Sequence, residues 1–356
     1  MHDLRRRTAR AAVAALTLTA LTGALAPAAA DAANSKHGRN AYSETLLVSD
    51  RASDHAVITD PTLVNPWGVA LTASSPLWVN KEETALSTLY RSSAGTPSVT
   101  QLFSVATVAN PTGIVANPTC AFLLPGTTNP ARFIFDSMSG RISAWTNVPV
   151  LAPTDTTVVP EPGAVFTGLA ISADAPGGPR LYAADAAAGV VRMYDGTWQP
   201  VGTFRDPNLP PKMAPYGIQV IGDRLYVTYA PPPDSENGLK GAVDVYTLGG
   251  QPIQRLATGG PLHGPWGLAL APEGWGAFGG DLLVGNEDGG AINAFDPQTG
   301  HFEGTVSDAN GAAIVHDGLW GIVFGNGTIG TPQTLITVAG EDEYTHGVIT
   351  AITPVD

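Results

Sequence analysis

Cysteine is all but missing from this chain. Cys120 is the only one, which excludes an intrachain disulfide and a thiolate metal cage. Basic residues are scarce too, with 18 Lys and Arg against 31 Asp and Glu and a formal net charge of −13. Such a chain has little with which to neutralise phosphates, so nucleic acid is excluded as a partner. No sustained 3.6-residue apolar period runs along it, which argues against helical layers. The metalloprotease pattern His-Glu-x-x-His and the Gly-x-Ser-x-Gly elbow are both lacking.

The N-terminus is a segment of another kind. Arg5, Arg6, Arg7 and Arg10 precede an Ala/Leu/Val/Thr stretch over Ala11–Leu25, followed by Ala26-Pro27-Ala28-Ala29-Ala30. A basic start, a short apolar run and small residues at the end read as a signal peptide over residues 1–30. The apolar run is short for a membrane span, which needs about 20 such residues. The expected location is therefore secreted or extracellular, compatible with cell-wall association, with no integral membrane segment once the leader is removed. Residues 31–43 are small and polar at their start and read as a disordered lead-in.

From residue 44 onward one phrase returns six times. Its copies are Asn65-Pro66-Trp67-Gly68, Asn110-Pro111-Thr112-Gly113, Phe166-Thr167-Gly168, Pro215-Tyr216-Gly217, Pro265-Trp266-Gly267 and Leu319-Trp320-Gly321. Each is followed by β-type runs bounded by turn residues, such as Leu77–Asn80, Arg132–Asp136 and Leu282–Asn286. Four strands per unit and a spacing of 45 to 55 residues between the glycines match the blade of a propeller. The expected fold is all-β, a six-bladed β-propeller of four-stranded antiparallel blades over residues 44–356. The sixth unit lacks an outer strand, and Glu44–Asp50 is a strand without a unit. The N-terminal strand therefore closes the last blade. Each glycine belongs on the innermost strand, where backbones crowd the axis.

Leu63–Gly68, Asp206–Pro210, Gly267–Pro272, Asp281–Asn286, Ile292–Asp296 and Asp317–Gly321, in that order, resemble an uncharacterised family of secreted bacterial proteins. More loosely they are similar to NHL-repeat propellers. The resemblance implies a six-bladed propeller and carries no activity with it, because function belongs to a site and not to a fold.

In such a blade the first strand starts, and the second ends, on the same face. The residues preceding the glycines are Trp67, Thr112, Thr167, Tyr216, Trp266 and Trp320, and Asn80, Asp136, Asp185 and Asn286 end the second strands. An aromatic mouth with a polar collar is thus expected, and a ligand would stack on Trp67, Tyr216, Trp266 and Trp320 while bonding to the collar. The bland alternative is a plugged channel with ordinary turn residues. The expected function is binding of a small molecule, glycan or extracellular protein.

The competing reading is a metal-dependent hydrolase of the lactonase or esterase type. Its ion, Ca²⁺ or similar, needs several converging oxygen ligands. Asn65, Asn110, Asp317 and Glu341 are the candidates, and two neutral amides make a weak core for such a site. Gly325-Asn326-Gly327-Thr328-Ile329-Gly330 has the spacing of a nucleotide loop, but a strand follows it, so no helix N-terminus meets a phosphate.

Overall fold

The computed structural model describes residues 38–92, 98–232 and 240–355; the leader lies outside the described residues. In chain order the strands are β1 (Tyr42–Ser49), β2 (Ile58–Thr59), β3 (Pro66–Ala70), β4 (Leu77–Lys81), β5 (Leu86–Ser92), β6 (Val99–Ala106) and β7 (Pro111–Ala116). They continue as β8 (Phe133–Ser137), β9 (Arg141–Trp145), β10 (Thr156–Pro160), β11 (Phe166–Ser172), β12 (Arg180–Asp185), β13 (Val190–Asp195) and β14 (Pro200–Phe204). The rest are β15 (Ala214–Ile221), β16 (Arg224–Ala230), β17 (Ala242–Thr247), β18 (Pro252–Thr258), β19 (Pro265–Leu270), β20 (Leu282–Asn286), β21 (Ile292–Phe295), β22 (Phe302–Thr305), β23 (Leu319–Phe324), β24 (Leu335–Ala339) and β25 (Val348–Pro354).

Five consecutive antiparallel sheets, β3–β6 through β19–β22, form blades one to five, and the sixth is ordered β2-β1-β25-β24-β23. The chain is a six-bladed propeller, and its N-terminal strand closes the last blade as expected. Leu46 pairs with Thr350 and Ser49 with Val348 along that seam. Closure begins earlier than the sequence indicates. Residues 38–43, read as part of a disordered lead-in, are bonded: Gly38 N donates to Gly276 O (3.0 Å) and Asn40 Nδ2 to Thr305 O (3.0 Å). Tyr42 is buried against Trp275 with ring centres 4.4 Å apart. That aromatic contact and these bonds tie the segment to blade five.

The repeated phrase has a backbone meaning. In every blade the pairing of the first two strands slips at the phrase, between Pro66 and Val69, Pro111 and Ile114, Phe166 and Gly168, Pro215 and Ile218, Pro265 and Leu268, and Leu319 and Ile322. A bulge at one point of each inner strand bends it and re-aims the residue beside it. The glycine then packs on the next blade. A Cβ at Gly68 would lie 2.3 Å from Thr112 O, at Gly217 2.0 Å from Trp266 O, at Gly267 2.4 Å from Trp320 O and at Gly321 2.7 Å from Trp67 O. No side chain fits there. Between blades the core is apolar: Trp78, Phe133 and Trp145 share one wedge, and Trp275, Phe278 and Leu335 another.

Ion pairs fasten the seam on the mouth face. His316 donates from Nδ1 to Glu341 (2.9 Å) and from Nε2 to Glu44 on β1 (2.6 Å). Arg51 pairs with Asp342 (2.6 Å) and reaches Glu341 (3.6 Å). Burial opposes a charge on His316, but the Glu341 and Glu44 carboxylates outweigh it and push its pKa up to about 9. The same bond, against burial, holds Glu44 below its ordinary range.

Two predictions follow from these contacts. Gly217→Ala, which forces a methyl onto Trp266 O, lowers the unfolding free energy in urea by about 1–3 kcal/mol; a loss within error of zero would refute the packing role. His316 has a folded pKa above its unfolded one, so its stabilisation is complete below about 6.5 and disappears as pH rises through about 9. The thermal midpoint of wild type therefore falls over that interval, and His316→Gln shows a flatter profile. Parallel profiles would mean that the seam does not depend on this proton.

Candidate functional site

The inner strands start on one face, and there the four aromatic residues of the phrase meet on the axis. Trp67 and Trp320 stack with centres 3.7 Å apart and planes 17° from parallel. Tyr216 and Trp266 stand edge-on to both, at 5.8 to 6.4 Å. The remaining two positions carry the smaller Thr112 and Thr167, both buried, and Trp266 leans toward that side. Trp266 crosses from blade five to donate its Nε1–H to Thr167 O of blade three (2.8 Å). Trp67 and Trp320 are buried, 6% and 2% exposed, while Tyr216 and Trp266 remain half-buried. The inner pair is closed off from solvent, and the outer pair keeps part of its ring surface open.

The collar lies elsewhere than the sequence indicates. Asn80, Asp136, Asp185 and Asn286 are all buried, 0 to 1% exposed, and each bonds to the protein itself. Asn80 Nδ2 donates to the carbonyls of Thr112 and Gly113 in the next blade (3.2 and 3.1 Å). Asp136 Oδ1 accepts from Gly113 N (2.6 Å) and from the Thr112 hydroxyl (2.8 Å). Asp185 accepts from Val165 N and pairs with Arg192 (2.8 Å). Asn286 accepts from His263 N and donates to Ala291 O. These residues satisfy backbone groups that the bulges and connecting loops leave open.

One or two residues further on, the chain reaches the mouth. Glu82 N, Met138 N, Ala186 N, Glu287 N and Gly340 N donate to the carbonyls of Asn65, Asn110, Val165, Gly264 and Gly318 (2.9 to 3.1 Å). Those acceptors stand three positions before the phrase glycines. Four of them are left-handed, with φ of 46° at Asn65, 55° at Asn110, 59° at Gly264 and 70° at Gly318. Asn and Gly are the residues that adopt this conformation cheaply, so Asn65 and Asn110 have a backbone role matched by glycines in blades five and six.

Their side chains converge on one carboxylate. Asn65 Nδ2 donates to Glu82 Oε2 (3.1 Å) and Asn110 Nδ2 to Glu82 Oε1 (2.5 Å), while Asn65 Oδ1 accepts from Trp320 Nε1 (3.0 Å). The other two metal candidates have different partners: Asp317 accepts from Gly289 N, and Glu341 belongs to the His316 seam. Among the described residues no three His, Cys, Asp or Glu side chains gather as an ion would require.

Sequence reasoning missed three residues of the mouth: Glu82, Glu287 and Tyr344. Tyr344 sits in the turn after β24, where Asp342, Glu343 and Tyr344 are all left-handed, φ 50°, 56° and 66°. Backbone of that kind in ordinary residues costs about 1–3 kcal/mol each and persists where the surroundings enforce it. Here it lays the Tyr344 ring 5.8 Å from Trp320, with the hydroxyl bonded to Glu287. The only sequence signal was the acidic-aromatic run after β24.

Three buried polar atoms beside the inner strands lack a partner, Trp67 Nε1, Asn80 Oδ1 and Asp136 Oδ2. Burial raises the Asp136 pKa to about 7, against the bonds from Thr112 and Gly113. A raised folded value means that this carboxyl costs stability as pH climbs from about 4 through 7. Asp136→Asn keeps the acceptor for Gly113 and gains in urea midpoint over wild type between pH 5 and pH 8. A constant difference across that range would show that Asp136 does not titrate there.

No protein-family model matches the chain. Uncharacterized protein R648 of Acanthamoeba polyphaga mimivirus is 30% identical over 301 residues, covering 78% of this chain and 72% of the relative. Among solved structures, a streptogramin B lyase superposes with a TM-score of 0.52 at 12% identity, over 88% of this chain and 97% of the other. A virginiamycin B lyase from Staphylococcus aureus gives 0.50 at 12%, over 88% and 99%. At that identity the likeness is one of fold alone. No helix among the described residues is long and apolar enough to cross a membrane.

Proposed function

The chain belongs to the family of the mimivirus protein R648, and on that premise we propose that it is a binding propeller whose ligand docks on the aromatic mouth. The observation that supports this reading most is the convergence of Trp67, Trp320, Tyr216 and Trp266, from four blades, with the last two still half-buried. A plug needs only the inner pair. Half-covered rings on a rigid ring of sheets, with a few polar groups beside them, are the usual makings of a ligand site.

The ligand is a small molecule, a glycan or a partner protein met outside the cell, and secretion is part of the proposal because residues 1–30 have the pattern of a leader. The lyases lend only their fold, which carries no reaction across. The hydrolase reading draws on Asn65 and Asn110, and both already have a backbone duty and a shared partner in Glu82.

Intrinsic tryptophan fluorescence against a panel of small molecules, glycans and peptides tests the proposal. A ligand of the mouth perturbs the emission, and Trp266→Ala weakens it about tenfold or more, roughly 1.4 kcal/mol, without loss of the folded circular-dichroism spectrum. Unaltered affinity in Trp266→Ala would leave the rings as a plug. A Ca²⁺-induced rise in thermal midpoint, abolished by EDTA and accompanied by lactone turnover, would replace this reading with the hydrolase one.

A further inference from the structure

We propose that residues 205–213, the connection from β14 to β15, form a strap on the mouth face, held down by one proton that Asp206 and Asp244 share and loosened when that proton leaves. The claim stands whether or not a ligand docks at the mouth. Asp206 lies in the connection and Asp244 on β17, and their carboxyl groups are hydrogen-bonded to each other. Two ionised carboxylates have no hydrogen to offer, so a bond between them needs a proton. One guanidinium serves both: Arg255 of β18 donates from Nε to Asp244 Oδ1 (3.0 Å) and from Nη2 to Asp206. Tyr246, on the same strand as Asp244, turns its hydroxyl to that carboxyl (3.5 Å), and Tyr229 of β16 bonds to the hydroxyl (2.7 Å). Both tyrosines are buried, and burial raises them well above the ordinary tyrosine value, so they stay neutral.

Charge decides how firmly the joint holds. The side chains of Asp244 and Asp206 are 4% and 12% exposed, so water screens them little. Burial pushes Asp244 up to about 7, the bond to Asp206 adds to it, and Arg255 opposes both. Burial also opposes ionisation of Asp206, but bonds from Asn208 N, Asp244 and Arg255 outweigh it and hold Asp206 below its ordinary range. One carboxyl therefore keeps the proton and the other the charge, as acids in contact do. Above about 7 both are ionised beside a single guanidinium, the shared bond is lost, and like charges face each other across the joint. Moving Asp206 away relieves that repulsion. The closed strap thus binds more protons than the open one, and its hold weakens as pH rises.

The segment is built to move as a piece. Pro207, Pro210 and Pro211 stiffen it, each fixing a backbone angle. Asn208 N and Met213 N bond inside it, to Asp206 Oδ1 (2.7 Å) and Pro210 O (3.2 Å). Leu209 and Met213, partly buried, rest on the apolar wedge between blades three and four. Exposed Lys212 is left-handed at φ 76°, which a residue other than glycine keeps only where its surroundings enforce it. Asp206 is the polar fastening of this stiff, constrained segment. Its far end adjoins Ala214, two positions before Tyr216, so loosening it frees the entry to an inner strand that carries one of the half-buried rings.

Amide hydrogen exchange of the whole chain, read by mass spectrometry on the peptide spanning 205–213, tests the strap. Wild type is compared with Asp244→Asn at each pH, so that the intrinsic pH dependence of exchange cancels. The amide keeps a hydrogen for the shared bond and has no proton to lose. The ratio of wild-type to Asp244→Asn exchange is expected near one at about pH 5 and about fivefold or more at about pH 8, with the β16 and β17 peptides unchanged. Asp206→Ala, which removes the fastening, exchanges faster than wild type at both. A ratio that stays constant across that range overturns the proposal, as does unaltered protection in Asp206→Ala. Should Asp244→Asn fail to fold, wild type alone decides: the Asp244 carboxyl carbon is expected to titrate near 7 by NMR, and titration near the ordinary value of about 4 overturns the claim.

Discussion

Everything in this molecule hangs on a glycine facing a carbonyl oxygen of the neighbouring blade. At Gly68, Gly217, Gly267 and Gly321 the neighbouring blade's backbone comes so near that even a methyl group would collide. The blades can stand that close because each inner strand is bulged at the same point, and the bulge turns the residue before the glycine toward the channel. Packing and exposure of a functional side chain are therefore consequences of one local distortion. A sheet without the bulge would bury Trp67, Tyr216, Trp266 and Trp320 between blades, or hold the blades apart.

The same distortion explains what could be read in the sequence and what could not. Six copies of an aromatic-or-Thr–Gly step at blade-length spacing announce the ring, because the steric demand falls on one residue type at one place. The closing role of β1 was legible from an unmatched strand at one end and a missing one at the other. The collar was misplaced by one or two residues. Counting from the end of the second strand assumes regular alternation, and the slipped pairing at the phrase hands Asn80 and Asp136 to the backbone and Glu82 and Glu287 to the mouth. Asn65 and Asn110 invite a metal because their side chains are oxygen donors, yet glycines hold the equivalent places in blades five and six. That substitution pattern was already visible within the chain and points to a left-handed backbone. Tyr344 was out of reach, since no local pattern foretells three consecutive left-handed residues.

The channel is not sixfold in its chemistry. Thr112 and Thr167 occupy adjacent blades with small side chains, and Trp266 leans far enough toward them to bond to blade three. A symmetric set of six rings would obstruct itself, and six threonines would leave an open, wet pore. The mixture gives a floor of two stacked indoles with two further rings tilted above it. Two buried glutamates stand beside the same floor, Glu82 through Asn65 on one side and Glu287 through Tyr344 on the other. The fold supplies the scaffold for this, but the site depends on which blades depart from the repeat.

The seam between β1 and β25 joins residues some three hundred positions apart in the sequence. Long-range strand pairing forms slowly, since much chain entropy is spent before any contact is made. As the chain is made, blades one to five can each assemble from contiguous segments, while β1, paired only with the two-residue β2, lacks its antiparallel neighbour β25. Until β25 is in place β1 has an open edge, of the kind that other chains readily extend. The pairing of greatest sequence separation is the one that closes the ring, and it is the pairing in which a second copy could most easily take the first strand's place.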